Sequence, residues 1–345
     1  MPSSPTAPRW TKPKFWLEGG MDRSILDLRE LKTFFFTPIG VVKAVNGVSF
    51  SLKQGETLGL VGESGCGKSM TALSILRLVP SPGRIVGGEI RFDGQDLLQK
   101  SEGAMRHIRG KQISMILQDP MTSLNPVLTI GDQVTEPIIR HQRVGKLIAF
   151  ERAKEMLHTL GISAPENRLS EYAHQMSGGM RQRIVGAMAL SCQPSLLIAD
   201  EPTTSLDVTI QVLFLSLLKE IQQKSGLSMI LVTHDFGIVA KCCQRVAVMY
   251  AGKIVENGDL RDIFYRPAHP YTTALMKSLP SMKAKTKRLY SIKGQPPNLM
   301  DLPPGCSFAS RCPSAMEICS RQYPPDSVVE NNHLVSCWLR ATRNR

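Results

Sequence analysis

Apolar and polar positions along the chain alternate in blocks that predict strands and helices in a repeating order. From Ile25 to Leu31 the alternation predicts a first strand, and from Val45 to Leu52, with Val48, Phe50 and Leu52 on one face, a second. Thr57–Val61 reads as a short buried strand, and Met70–Leu78 has the apolar spacing of a helix. Glu89–Phe92 predicts another strand, turning at Asp93-Gly94. Residues 126–178 lack strand signals and carry helical spacing, as in Ala153, Met156, Leu157 and Leu160 before Gly161, so they read as a helical insertion. Arg181–Leu190 predicts a helix, Leu196–Ala199 a buried strand, Ile210–Gln223 a helix and Met229–Thr233 another buried strand. Arg245–Met249 and Lys253–Asn257 form a predicted hairpin around Ala251-Gly252. Strands alternating with helices in this order indicate an α/β fold with a mainly parallel core sheet. Three stretches break the pattern. Residues 1–22 read as a poorly ordered extension in which Met21 is a possible second start. Phe34-Phe35-Phe36-Thr37-Pro38 reads as an aromatic loop. Beyond about residue 260 the sequence turns proline-rich and irregular, with Pro296-Pro297, Pro303-Pro304 and Pro324-Pro325.

Between the buried strand at Thr57 and the helix at Met70 lies Gly62-Glu63-Ser64-Gly65-Cys66-Gly67-Lys68-Ser69, which fits G-x-x-x-x-G-K-[ST] without a mismatch. The strand and helix on either side are the context in which this pattern cradles phosphate. Its glycines let successive N–H groups face one anion at a helix N-terminus, whose dipole also favours negative charge. Lys68 is placed to reach the terminal phosphates and the Ser69 hydroxyl to sit on Mg²⁺. The residues predict that a nucleoside triphosphate binds here.

Two further stations follow. Leu196-Leu197-Ile198-Ala199-Asp200-Glu201 is an apolar strand ending in two carboxylates. With a phosphate loop upstream and Pro202-Thr203 after them, Asp200 is assigned to the metal and Glu201 to proton abstraction from the attacking water. Met176-Ser177-Gly178-Gly179-Met180-Arg181-Gln182-Arg183 puts Ser-Gly-Gly immediately before a helix, a second anion site made of N–H groups at a helix start. One chain needs only one cradle for one ATP. A second makes sense if it closes over ATP held by another subunit.

Composition narrows the class. At 345 residues, with 42% hydrophobic and 21% charged, the chain can bury an ordinary core. No apolar run approaches the roughly 18–20 residues needed to cross a bilayer, and the first twenty residues do not read as a signal peptide, so a soluble, cytoplasmic chain is expected. The net charge is +13, partly local: from Asp262 to Lys293 seven Lys or Arg face one acid. Such a run reads as a solvated face, or as a surface resting beneath an anionic leaflet, and no nucleic-acid recognition motif accompanies it. Of eight cysteines, Cys66, Cys192, Cys242 and Cys243 are scattered and read as packing residues, whereas Cys306, Cys312, Cys319 and Cys337 cluster late in the chain. Their spacing, C-x5-C-x6-C-x17-C, matches neither the usual zinc pairs nor the bacterial ferredoxin run. Chemistry alone says only that four thiolates could hold a metal.

The phosphate loop, the Asp200-Glu201 strand and the Ser-Gly-Gly station together resemble the ATP-binding cassette (ABC) ATPases. The family signature is Leu-Ser-Gly-Gly-Gln; Met176 and Met180 stand at its ends here, and Ser177, Gly178 and Gly179 are kept. The resemblance spans residues from about 25 to 340. It implies a P-loop NTPase with a RecA-like core, an antiparallel β subdomain and a helical subdomain at about 126–178, occupying 23–262, followed by a C-terminal region at 263–345. It also implies ATP contacts from Gly62, Ser64, Gly65, Cys66, Gly67, Lys68, Ser69, Met70 and Gln118, with Phe35 stacking on adenine, the alternative being that the three phenylalanines serve as core or interface. Ser69, Gln118 and Asp200 would hold Mg²⁺. Gln118 resembles the Q-loop glutamine, His234 the switch histidine on the γ-phosphate, and Ser205-Leu206-Asp207 the D-loop, so that Ser177, Gly178, Gly179 and Asp207 would contact ATP in trans. Arg266-Pro267-Ala268-His269-Pro270-Tyr271-Thr272 looks like the His-Pro-Tyr element of dipeptide and oligopeptide importers. That branch favours a [4Fe–4S] cluster on Cys306, Cys312, Cys319 and Cys337, with zinc or unliganded thiols as the alternatives. The resemblance therefore implies the ATP-hydrolysing subunit of an importer for di- or oligopeptides at the cytoplasmic face of the membrane. Its implied partners are a related second ATPase chain, two permease subunits and an extracytoplasmic solute-binding protein. The same motor serving nickel or glutathione, or a non-transport ABC ATPase acting on nucleic acid, are the alternatives.

Overall fold

The structure is a computed structural model that describes residues 23–119, 123–204, 206–279, 290–330 and 332–341. The expected N-terminal extension, Ser205 of the predicted D-loop, and Lys283, Lys285, Lys287 and Arg288 of the basic run lie outside the described residues. The chain divides into two compact units. Of the described residues, one holds 23–25, Lys53–Glu56 and Gln99–Leu231; the other holds Leu26–Leu52, Thr57–Leu98 and those from Val232 onward.

In the second unit, β1 (Ser24–Thr37), β2 (Gly40–Lys53), β4 (Gly83–Phe92) and the two-residue β5 (Gln95–Asp96) make a sheet in the order β2–β1–β4–β5. β1 and β4 run antiparallel. The predicted aromatic loop is therefore strand: Phe34 pairs with Arg84 and Phe35 with Gly83. Aromatic residues favour a half-buried pleated surface, so the strand runs through the phenylalanines to Thr37 and the chain turns only after it, at Pro38 and Ile39. The same unit holds β3 (Thr57–Val61), which pairs parallel with β9 (Arg245–Tyr250); β9 pairs antiparallel with β10 (Lys253–Asp259). The predicted hairpin stands, turning on Ala251 and Gly252 at φ 47° and 81°.

The region beyond residue 260 is more ordered than its prolines suggested. Helices Leu260–Tyr265, Pro270–Ser278 and Glu317–Arg321 form, and two strands, β11 (Asp326–Glu330) and β12 (His333–Ser336), extend the sheet, β12 pairing antiparallel with β10. A buried carboxylate ties this region down. Glu256 of β10 accepts the Ala268 N–H at 2.6 Å and the His333 Nε2 contact at 2.7 Å on Oε1, and the His269 N–H at 2.9 Å on Oε2. His269 in turn caps the helix that begins at Pro270, its Nδ1 accepting the Tyr271 N–H at 3.0 Å. Pro270 at the first helical position needs no donor partner there. Burial holds the His269 imidazole neutral, pushing its pKa down to about 4 against the pull of Glu256. Cap, first turn and third residue account for the His-Pro-Tyr sequence physically.

The first unit contains β6 (Ile113–Ile116), which the periodicity had not marked, paired parallel with β7 (Leu196–Asp200). Helices Ile130–Gln142 and Lys146–Thr159 fill the predicted insertion. The first opens on a capping box between Thr129 and Asp132. Ala149, Ala153, Met156 and Leu157 recur on one face and pack with Ile184, Leu190, Leu197, Phe214 and Leu218 in one core. Helices Gly178–Leu190 and Val208–Ser225 follow, each starting slightly earlier than the apolar spacing indicates because Ser177 and Asp207 cap them. β8 (Ser228–Thr233) is buried throughout and carries the chain from the first unit into the second.

Candidate functional site

The phosphate loop follows β3, whose five residues are all buried, and opens the helix Lys68–Ile75. Gly67 is the helix N-cap in the left-handed region at φ 107° and makes no side-chain cap bond. Close packing dictates glycine here. A Cβ at Gly67 would stand 2.2 Å from the Ala44 carbonyl oxygen, and one at Gly62 2.1 Å from that of Met249. The Lys68 ammonium is buried and donates to the Gly62 carbonyl at 2.8 Å and the Glu63 carbonyl at 3.0 Å. Those carbonyls occupy its donors as an anion would. Cys66 lies beside Lys68, but burial pushes its thiol pKa up, so it is held as a neutral packing residue.

Glu63 is gripped from the C-terminal region. Its N–H donates to the Tyr271 hydroxyl at 2.9 Å, and its carboxylate takes both arms of the Arg311 guanidinium at 2.6 and 3.0 Å. Arg311 also donates to the Tyr250 hydroxyl at 3.2 Å, and its hydrogen bond to Glu63 raises its pKa further. Tyr250, Tyr271 and Phe308 pack ring against ring beneath the loop, with centroids 4.6 to 5.3 Å apart. The sequence gives no site role to Glu63, Tyr250 or Phe308, and marks Arg311 only as part of Arg311-Cys312-Pro313, which resembles the peptide-importer branch. The separation of 248 positions between Glu63 and Arg311 leaves no local pattern to find. Phe35 is half-buried, its ring against Gly83, while Phe36 is 45% exposed with the Arg84 guanidinium 5.9 Å from its ring centre. His234 is exposed at the end of β8; the following Asp235 caps the helix Phe236–Cys242.

In the first unit β7 delivers Asp200, buried, and Glu201, half-buried, at its tip. Glu201 has φ +44°, a left-handed conformation that is uncommon for a residue with a side chain and concentrates at functional positions. Its Oε2 accepts from the Thr204 hydroxyl at 3.0 Å and from Gln118 Nε2 at 3.3 Å. Gln118 and Glu201 are thus brought together, 83 positions apart. Ser177 is exposed and caps its helix, accepting the Met180 N–H at 3.3 Å. Asp207 caps the next one, accepting the Ile210 N–H at 3.0 Å.

The four late cysteines share the second unit. Gly305 passes so close to the Cys319 carbonyl that a Cβ would stand 2.1 Å from it, and the Cys306 N–H donates to that carbonyl at 2.7 Å. Burial pushes the Cys337 thiol up to about 11, and charge on Cys306, Cys312 and Cys319 pushes it the same way, so the four sulfurs lie within electrostatic reach of one another. Among the described residues, however, no three His, Cys, Asp or Glu side chains converge closely enough to hold a metal ion. The structure therefore does not support the expected metal site: the donors are neighbours but not closed around a centre. No helix among the described residues is long and apolar enough to cross a membrane.

Comparison with known proteins sets this geometry in context. Residues 45–204 match the ABC transporter family, and residues 255–319 match the oligopeptide/dipeptide transporter C-terminal region. The chain is 52% identical over 320 residues to the dipeptide transport ATP-binding protein DppD of Bacillus subtilis, covering 92% of this chain and 96% of that one. It is 48% identical to the oligopeptide transport ATP-binding protein OppD of Escherichia coli over 91% of this chain and 93% of that one. Among solved structures, it resembles the ATP-binding cassette MJ0796 in a dimeric post-hydrolysis state bound to ADP and Pi. That likeness has a TM-score of 0.62 and 26% identity, over 68% of this chain and 99% of that one.

Proposed function

This chain belongs to the ABC transporter family, and on that footing we propose that it is the ATP-hydrolysing subunit of an importer that takes up di- or oligopeptides. The observation that carries the reading is the likeness, at 52% identity across nearly the full length of both chains, to a dipeptide transport ATP-binding protein. The peptide-transport names of the relatives favour peptides over nickel or glutathione, and transport over a role on nucleic acid.

In this reading the chain divides into a nucleotide-binding domain at 23–262 and a C-terminal region at 263–345. The loop Gly62–Ser69, with Met70, takes the phosphates, and Lys68 turns from the carbonyls of Gly62 and Glu63 to the terminal phosphate oxygens. Phe35 covers the adenine. Mg²⁺, when bound, offsets charge on the β- and γ-phosphates; the oxygen donors of Ser69, Gln118 and Asp200 suit that hard cation. Glu201 accepts a proton as the water oxygen bonds to the γ-phosphorus and the bond to the ADP oxygen breaks, giving ADP and phosphate. Its pairing with Gln118 and Thr204 supports that role, since both hold the carboxylate in one place. His234 contacts the γ-phosphate. Ser177, Gly178, Gly179 and Asp207 serve the ATP of a second, related but non-identical ATPase chain. Closure and reopening of that pair drive two permease subunits fed by an extracytoplasmic binding protein, with this subunit peripheral at the cytoplasmic face.

Cys306, Cys312, Cys319 and Cys337 are proposed to hold a [4Fe–4S] cluster. What supports the reading is that three of these cysteines lie within residues 255–319, which match the oligopeptide/dipeptide transporter C-terminal region. Such a cluster would supply a four-point cross-link or a centre that exchanges an electron.

The test is Glu201→Gln in the chain assembled with its partner ATPase. Hydrolysis should fall by a factor of about 10² or more, and ATP should remain trapped in a stable dimer on size exclusion. Normal turnover in the variant would remove Glu201 from the base role.

A further inference from the structure

We propose that Arg311, far along the C-terminal region, is a positioning residue for the phosphate loop, acting through Glu63 to set the affinity for ATP. The inference rests on the reading of residues 62–69 as the ATP cradle.

Side chains hold Glu63 by three handles, and its carbonyl also accepts the Cys66 N–H at 3.3 Å. Lys68 takes its carbonyl at 3.0 Å, Tyr271 its N–H at 2.9 Å, and Arg311 its carboxylate through both guanidinium arms. The first of these is lost when Lys68 turns to phosphate. The two side-chain handles that remain both come from the C-terminal region, so that region does most to keep Glu63 in place during binding. Arg311 suits the task. Its side chain is 4% exposed, its fork matches a carboxylate in two bonds, and a planar guanidinium loses less freedom per bond than an ammonium would. It is itself anchored, donating from Nε to the Lys293 carbonyl at 3.1 Å. The segment that runs on from there is fastened at its other end, where the Leu299 carbonyl accepts the Lys43 N–H at 3.1 Å, three residues beyond the start of β2. Arg311 thus joins the loop to a braced segment rather than to a free tail. Without it, ATP binding must also order the first residues of the loop, and affinity falls.

A residue that merely stabilised the C-terminal region would lower the melting temperature and leave ATP affinity unchanged in the folded protein. The experiment therefore measures the dissociation constant for a fluorescent ATP analogue on the purified full-length chain, beside the melting temperature without nucleotide. Arg311→Gln and Glu63→Gln should each weaken binding about tenfold, which is about 1.4 kcal/mol. The double variant should weaken it no further, because both changes cut the same link. Arg311→Lys, which keeps the charge and loses the fork, should fall between wild type and Arg311→Gln, and it carries the test if the glutamine variant does not fold. Binding within twofold of wild type in a folded Arg311 variant, or about a hundredfold loss in the double variant, would overturn the proposal. Lys68→Ala separates the two levels of inference. Unchanged ATP binding in that variant overturns the cradle itself, whereas its loss alongside normal binding in Arg311→Gln overturns only the positioning role.

Discussion

Replacing Glu256 by glutamine should be among the most damaging single changes in the second unit, although it alters one atom. The carboxylate is fully buried and accepts three hydrogen bonds, from Ala268 N–H and His333 Nε2 on one oxygen and from His269 N–H on the other. A glutamine amide has one accepting oxygen and one donating nitrogen. In one orientation its NH₂ faces the His269 N–H; flipped, it faces the Ala268 N–H. His333 can change tautomer to meet either atom, but a backbone N–H cannot. One buried N–H is therefore orphaned whichever way the amide turns, at about 1–3 kcal/mol, and the charge assistance to the other bonds is lost at about 1 kcal/mol more each. The total is about 4 kcal/mol. For a unit of roughly 180 residues, each kcal/mol lowers the melting temperature by about 2–4 °C, so the variant should melt about 10 °C early. Glu330→Gln is the control. Its ion pair with Arg266 measures 2.6 Å, yet both side chains are 60% exposed, and loss of such a pair costs well under about 1 kcal/mol. Calorimetry of the two variants, with amide exchange read at Ala268 and His269, decides the matter. A loss below about 3 °C for Glu256→Gln, with both amides still protected, would refute the reasoning.

Purified without oxygen, the protein should be brown and contain iron and acid-labile sulfide in equal amounts, about four of each per chain; a colourless, zinc-loaded preparation would refute the cluster assignment. Ser177→Arg should abolish ATP hydrolysis in the assembled transporter and leave ATP binding to the isolated chain within about twofold, since Ser177 is exposed and its cap contributes only about 1 kcal/mol locally. Loss of binding to the isolated chain would count against a site completed by another subunit.

What the sequence revealed and what it hid follow one physical divide. The phosphate loop, β3, β7 and the Ala251-Gly252 hairpin were legible because each is set by neighbours within a few positions: a glycine at positive φ, a run of apolar residues, a cap. The likeness to a known family added Gln118 and His234, which no local pattern would single out. Phe34–Phe36 misled because a strand end paired to β4 looks, by itself, like a turn. The C-terminal region misled more deeply. Its prolines suggested irregular chain, yet β12 is ordered by pairing with β10, 77 positions earlier as counted from Glu256 to His333. Glu256 itself looks like any polar residue on a strand; only burial against two backbone amides and an imidazole makes it a tie. The link between Arg311 and Glu63 was invisible for the same reason, since a bidentate pair carries no periodicity.

The contacts around the phosphate loop also determine how the chain can vary over generations. At Gly62 and Gly67 every heritable replacement adds a Cβ, and what it meets is a main-chain carbonyl, of Met249 and of Ala44. No second substitution elsewhere can shorten a carbonyl, so these two positions have no compensating partner and are closed to drift. Glu63, one residue along, is bound by side chains instead. A change there can be answered by a change at residue 311, and related chains can wander together at that pair while the glycines beside it stay fixed.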